Sequence, residues 1–137
     1  MIRWTHDLPS ADAYVALRQA AGLGKRSVEA AQVALPNTLY FEACWEADRL
    51  VGMGRVVGDG GCFVQIVDIA VAPTHRRQGI GRSITSRLVT WCEANLPATC
   101  HVSLVSSERA IALYQAHGFQ LCRGLDRYAS SDLRPPE

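Results

Sequence analysis

The chain has 137 residues, a formal net charge of +1 and 48% hydrophobic residues, which suits one domain with a working core and leaves no room for a second. So balanced a charge excludes the broad positive field of a nucleic-acid binder. Five cysteines without a Cys-x-x-Cys pair suggest neither a disulfide framework nor a zinc site. No run approaches the roughly 18 apolar residues of a membrane span, and the start Met1-Ile2-Arg3-Trp4 lacks the apolar core of a secretory signal. The expectation is a cytoplasmic protein with reduced, buried thiols, no metal, no membrane contact and no nucleic-acid partner.

In chain order, a short strand near Ile2 to Thr5 precedes Pro9-Ser10, where the serine caps a helix striped by Ala13, Tyr14, Leu17 and Ala21. Gly22 and Gly24 stop it. Ser27 caps a second short helix through Val28, Ala31 and Leu35, ended by Pro36-Asn37. Leu39, Phe41, Ala43 and Trp45 alternate with Tyr40, Glu42, Cys44 and Glu46 as in a half-buried strand, which Ala47-Asp48-Arg49 turns back. Leu50 to Val57 is the next strand. Within it Gly52 and Gly54 mark a bulge or a close approach of another group.

After the loop Asp59-Gly60-Gly61, the central strand Cys62 to Val71 feeds a turn and a helix with Ile80, Ile84, Leu88 and Trp91 on one face. Pro97 closes that unit. His101 to Val105 forms a buried strand, a helix from Ser107 to His117 ends at Gly118, and Phe119 to Arg123 with Leu125 to Ala129 make a final hairpin whose edge suits pairing in a homodimer. Hairpins followed by strand, helix, strand, helix, strand imply an α/β (α+β) fold. One domain over 1–129 carries a mixed, mostly antiparallel sheet with helices on both faces, and 130–137 is a flexible tail.

The most informative segment is Arg76-Arg77-Gln78-Gly79-Ile80-Gly81-Arg82-Ser83, entered from Ile66-Val67-Asp68-Ile69-Ala70-Val71. A strand hands over to a glycine-spaced turn that opens a helix, so free backbone N–H groups and the positive end of the helix dipole converge on one point. That is a phosphate cradle. A P-loop requires Lys-Ser/Thr after its second glycine, but Arg82-Ser83 follows Gly81. A dinucleotide fingerprint requires a third glycine or alanine where Ile84 stands, and an acidic residue about 20 positions on that is missing.

What remains, Arg/Gln-x-x-Gly-x-Gly/Ala over Arg76, Gly79 and Gly81, resembles the acetyl-CoA pyrophosphate loop of the GNAT family of N-acetyltransferases. A second element, Ser107-Glu108-Arg109-Ala110-Ile111-Ala112-Leu113-Tyr114 through Gly118-Phe119, is similar to that family's Asn-x-x-Ala-x-x-Leu-Tyr-x-x-x-Gly-Phe signature, with Ser107 in place of the usual asparagine. The resemblance spans roughly residues 38 to 120. It implies a sheet with one splayed strand pair, acetyl-CoA as co-substrate and acetyl transfer to a primary amine of a small molecule in a ternary complex. It further implies that coenzyme binds along Ile69, Ala70 and Val71, in the turn Arg76, Arg77, Gln78, Gly79, Ile80, Gly81 and Arg82, and beside Ser107 and Tyr114. The main chain of Ile69 and Val71 would polarise the thioester, and Tyr114 would give the departing sulfur its proton.

For the proton that the amine must lose, the resemblance points to Asp68, three residues before Val71, as base or acceptor ligand. Gln65, at the position where another branch of the family has a glutamate, cannot take a proton. The glycine-linked helices at 10 to 35 suit a lid over the acceptor site. Arg55 stands out as a charge in an apolar strand, and His75 and His117 read as solvated. Two alternatives stand beside this reading: an acyl-CoA-binding module without turnover, and a transferase acting on a protein or peptide amine.

Overall fold

Alternating hydrophobicity and short turns build a five-stranded sheet in chain order: β1 (Ile2–Thr5), β2 (Tyr40–Glu46), β3 (Arg49–Gly58), β4 (Phe63–Val71) and β5 (His101–Ser103). The computed structural model describes residues 1–133. The pairings β1–β2, β2–β3 and β3–β4 are antiparallel, and β4–β5 is parallel. A parallel step requires a crossover, which α3 (Ile80–Asn95) supplies.

α1 (Ala11–Ala20) and α2 (Val28–Ala34) begin where the serines predict. Ser10 Oγ accepts from the Ala13 N–H at 3.1 Å and Ser27 Oγ from the Ala30 N–H at 3.0 Å, caps that contribute about 1 kcal/mol each. The glycines of β3 mark a close approach: a Cβ on Gly52 would lie 2.9 Å from Ile80, and one on Gly54 would lie 2.7 Å from Leu88. Bare backbone there lets α3 settle onto the sheet. Gly54 therefore faces α3, and Arg55, the next residue along the strand, faces α1 on the opposite side.

The core is continuous through the sheet. Val51, Met53, Val56, Ile84 and Leu88 have no exposed surface. β2 departs from the half-buried expectation, because Glu42 and Cys44 are as buried as Phe41 and Ala43. Glu42 pairs with Gly54 and so lies under α3, which covers a face that alternation alone assigns to water. Its Oε1 accepts from the Tyr40 hydroxyl at 2.8 Å, while Oε2 has no hydrogen-bond partner and lies 3.5 Å from His6 and 3.9 Å from Arg87.

Two expectations at the carboxyl end are corrected. The helix expected from Ser107 to His117 is a 3₁₀ turn, Glu108–Ala110, followed by the short α4 (Ile111–Gln115). The final hairpin does not form: residues 119–129 make no strand, and Leu121 and Leu125 are 72% and 104% exposed. Gly118 turns the chain away at φ 90°, and Arg123, Gly124, Asp126 and Arg127 leave the segment no unbroken apolar face to lay on β5. Of the expected tail, residues 134–137 lie outside the described residues.

Candidate active site

β4 holds β5 over three pairs only, Phe63 with His101, Val64 with Val102 and Gln65 with Ser103. Past Gln65 the two strands part, which gives the sheet its splay. On its other edge β4 slips against β3: Arg55 faces Val67 and Met53 faces Ala70, so Gly54 stands opposite both Asp68 and Ile69. The extra residue makes a β-bulge with Asp68 at φ 61°, a left-handed conformation that aspartate tolerates better than most side chains.

The bulge aims Asp68 at α1. Its Oδ2 accepts from the Tyr14 hydroxyl at 2.5 Å and from Arg55 Nε at 2.6 Å, and its Oδ1 pairs with Arg18. Arg18 Nη2 also donates to the Gly24 carbonyl at 2.7 Å, and Arg55 Nη1 to Thr38 Oγ1 at 3.1 Å. The three charged side chains are 5–11% exposed. Burial, then the hydrogen bond to Asp68 and its charge, push the Tyr14 hydroxyl above its usual range. All three donors were missed in the sequence as partners of Asp68, although Tyr14 and Arg18 stand four apart on one helix face, as two groups reaching one target must.

Past the bulge, Ile69, Ala70 and Val71 line a cavity of about 310 Å³ together with Arg76, Arg77, Gly79, Ile80 and Gly81. Eight of the expected coenzyme residues thus share one site. Its opposite wall is Ala21 and Leu23 from the end of α1, so the stretch around the first hinge glycine walls this cavity. Arg76 fastens that wall, donating to the Ala21 carbonyl at 3.1 Å. Arg77 at φ 65° and Gly79 at φ 80° wind the turn so that the first N–H groups of α3 point outward without intrahelical partners. Gln78 and Arg82 are exposed on this turn and do not line the cavity.

His75 is buried, which corrects the solvated reading. Its Nε2 lies 3.1 Å from Glu46 and its Nδ1 lies 2.8 Å from Thr74 Oγ1, a brace at the foot of the turn. The hydrogen bond from His75 and its charge hold the Glu46 carboxyl below its usual range. His117 is half-buried, with Nδ1 2.9 Å from the Leu113 carbonyl.

Tyr114 lies elsewhere. It lines a second, larger cavity of about 1170 Å³ between β5, α4 and residues 118–126, which also includes Gln65 and Ile66 of β4. The two cavities therefore meet the same strand, one at each end of its splayed stretch. Tyr114 is half-buried, edge-on to Phe119 at 6.2 Å, and burial raises its hydroxyl above the usual range. Ser107 is exposed and lines neither cavity; its carbonyl accepts from the Ala110 N–H at 3.1 Å, and its hydroxyl caps nothing. Among the described residues no group of His, Cys, Asp and Glu side chains is arranged to hold a metal ion, and no helix is long and apolar enough to cross a membrane.

The acetyltransferase (GNAT) domain family matches residues 36–121, which contain both the turn and Tyr114. A solved structure from meticillin-resistant Staphylococcus aureus, a protein of unknown function described as a probable acetyltransferase, superposes with a TM-score of 0.87 at 36% identity, covering 95% of this chain and 99% of that one. A predicted acetyltransferase of Clostridium acetobutylicum, solved with acetyl-CoA, shares the fold at a TM-score of 0.71 and 18% identity, over 93% of this chain and 96% of that one. The chain spans about half the length of curated relatives it matches, such as the chloroplastic GCN5-related N-acetyltransferase 1 of Arabidopsis thaliana, 28% identical over 102 residues, 73% of this chain and 51% of the relative. By its sheet, its glycine turn and a family match over more than half its length, this chain belongs to the GNAT family of acetyltransferases.

Proposed function

We propose that the protein is an acetyl-CoA-dependent N-acetyltransferase that passes the acetyl group directly to a primary amine of a small molecule. The observation that carries the proposal is the course of β4, which leaves β5 after Gln65 and runs through Ile69–Val71 into the cavity floored by Gly79 and Gly81. A pyrophosphate fits the N–H groups and dipole at the start of α3, and an extended amide-bearing arm fits the strand edge that β5 has vacated. Arg76, Arg77 and Arg82 supply positive charge around that turn.

The bound thioester supplies an activated acetyl group. The chain's contribution is to hold it, to offer backbone N–H groups to its carbonyl, and to return a proton to the sulfur. Tyr114 suits the last role: its raised pKa keeps the hydroxyl protonated at neutral pH, and it lines a cavity that meets β4 where the splay begins. An alkylamine of pKa about 10 is mostly protonated at pH 7, a handicap on the order of 4 kcal/mol. Asp68 is the acid nearest the coenzyme strand in sequence. Three donors already occupy its two oxygens, so a proton taken there would displace one of them. This geometry favours Asp68 as a positioning residue that fixes the bulge beside Ile69, over Asp68 as base.

The size of the second cavity favours one further reading, a protein or peptide amine as acceptor, because a cleft of about 1170 Å³ open along Tyr114 admits a length of backbone. A second copy of the chain is the partner we propose for the assembled enzyme; the hairpin edge from which that pairing was expected, Phe119 to Ala129, makes no strand. Release of coenzyme A thiol from acetyl-CoA, followed against small amines, polyamines, aminoglycosides and amino-terminal peptides, tests the proposal with Tyr114→Phe alongside. Turnover on small amines that the variant loses supports it, turnover on peptides alone supports the second reading, and binding without turnover on any acceptor would leave an acyl-CoA-binding module.

A further inference from the structure

Cys62 and Cys100 end the two short segments that β4 and β5 pair. The register that sets Phe63 beside His101 continues one step back to set Cys62 beside Cys100, and the His101 N–H donates to the Cys62 carbonyl at 2.8 Å across that step. Neighbouring strands lie about 4.8 Å apart, within the roughly 4.4–6.8 Å between Cα atoms that a disulfide spans. Both residues stand one step before their strands begin, and the charge of Cys62 acts on the Cys100 thiol, which places the two sulfurs in one neighbourhood.

From this juxtaposition we infer that Cys62 and Cys100 are an oxidisable dithiol, a modification site at the closed end of the splayed strand pair that peroxide converts to a disulfide. Cys62 is exposed and meets the oxidant first, while Cys100 is half-buried behind it. The Cys62 thiolate attacks one oxygen of hydrogen peroxide, breaking the O–O bond to give a sulfenic acid and hydroxide. The Cys100 thiolate then attacks that sulfur and expels the second hydroxide, forming the S–S bond. Two thiols lose two electrons, one peroxide gains them, and with both thiol protons two waters leave.

The electrostatics fit a resolving partner. Burial, then the charges of Asp59 and Cys62, push the Cys100 thiol upward, which leaves the first attack on peroxide to Cys62; in the second step the hydroxide released by the first takes the Cys100 proton. Cys92 on α3 is the competing neighbour of Cys100, but it is buried, and that burial pushes its thiol up to about 11. The cross-link would pin β4 to β5 at the end away from the coenzyme cavity, leaving Ile69–Val71 and the glycine turn free. The inference stands apart from the acetyl-transfer reading, because it requires only the strand register and the two thiols.

The test is a thiol titration with intact mass measurement on the reduced, folded protein before and after hydrogen peroxide, in wild type, Cys62→Ser, Cys100→Ser and Cys92→Ser. Wild type is expected to fall from its five thiols to three with a loss of about 2 Da, restored by dithiothreitol, and Cys92→Ser to lose two thiols likewise. Cys62→Ser and Cys100→Ser are expected to form no cross-link. Five thiols surviving in wild type, oxygen added to Cys62 without a cross-link, a disulfide between two molecules, or a cross-link persisting in Cys62→Ser would each overturn the inference. Cys62 is exposed, so its serine variant keeps the fold and the test stays decisive.

Discussion

Arg18 on α1 and Asp68 in the bulge of β4 stand fifty residues apart in sequence and meet as a buried ion pair, with Arg18 also gripping the Gly24 carbonyl at 2.7 Å. One side chain therefore fastens α1, the glycine hinge and β4 together. Removing Asp68 would strand two buried guanidiniums, Arg18 and Arg55, without their counter-charge. Asp68→Ala is expected to lose about 3–5 kcal/mol, read as a lower urea midpoint. The double variant Asp68→Leu/Arg18→Leu should lose less than the sum of its single variants, and strict additivity would show that the pair is not coupled. The same carboxylate answers the question of the base. If Asp68 takes the amine proton, Asp68→Asn abolishes the acidic limb of the kcat profile; in the positioning role favoured here, that limb persists while KM for acetyl-CoA rises.

Gly54 tests the packing of the sheet against α3. A methyl group there would press on Leu88 at 2.7 Å and Ile84 at 2.8 Å, both fully buried and without room to retreat. Gly54→Ala should cost about 1–3 kcal/mol, seen as a lower thermal midpoint. Gly79→Ala differs in kind, because nothing lies within 4 Å of its Cβ position and only φ 80° opposes the methyl group. About 1–2 kcal/mol of strain, relieved by unwinding the turn, should appear mainly as weaker coenzyme A binding by calorimetry. Equal stability losses with unchanged binding in both variants would contradict that division.

Sequence reading carries far where one local rule decides the outcome. Ser10 and Ser27 marked both helix starts, Gly52 and Gly54 the close approach, and Gly79 and Gly81 the turn that opens α3, because caps, bare backbone and turn chemistry act within a few residues. Long-range partners were not legible. The burial of Glu42 depends on α3 arriving over β2, and the partners of Asp68 come from α1, β3 and a one-residue slip of register. The absent terminal hairpin is the opposite failure: Phe119, Leu121 and Leu125 are spaced as on a strand, but Arg123 and Arg127 break that face and no neighbouring strand holds it.

His75 and Glu46 give the fold an acid-sensitive brace. The Glu46 carboxyl lies below its usual range when folded, so its contribution is fully present above the unfolded value near about 4.3 and is lost as pH falls through the lower folded value. His75→Gln removes the partner and should flatten that part of the stability curve. The check is thermal midpoint against pH from about 6 to 3 for both proteins: the difference between them should shrink as the pH drops. A constant difference would mean that His75 supports the turn through packing and Thr74 alone.

Tyr114 carries the sharpest functional expectation. It is half-buried against Phe119, its hydroxyl pushed above the usual range by burial, and it belongs to the larger cavity and not to the one beside the glycine turn. Tyr114→Phe should therefore lower kcat by about 100-fold or more while the Kd for coenzyme A stays within about twofold. The sign of the pH effect follows from the shift: a proton donor with a raised pKa stays loaded through neutral pH and loses its proton only above the usual tyrosine value near about 10. Wild-type kcat should hold on the alkaline side up to that point. An alkaline decline centred near pH 8 that persists in Tyr114→Phe would assign the proton to another group, and a loss of coenzyme affinity matching the loss of kcat would make Tyr114 a binding residue.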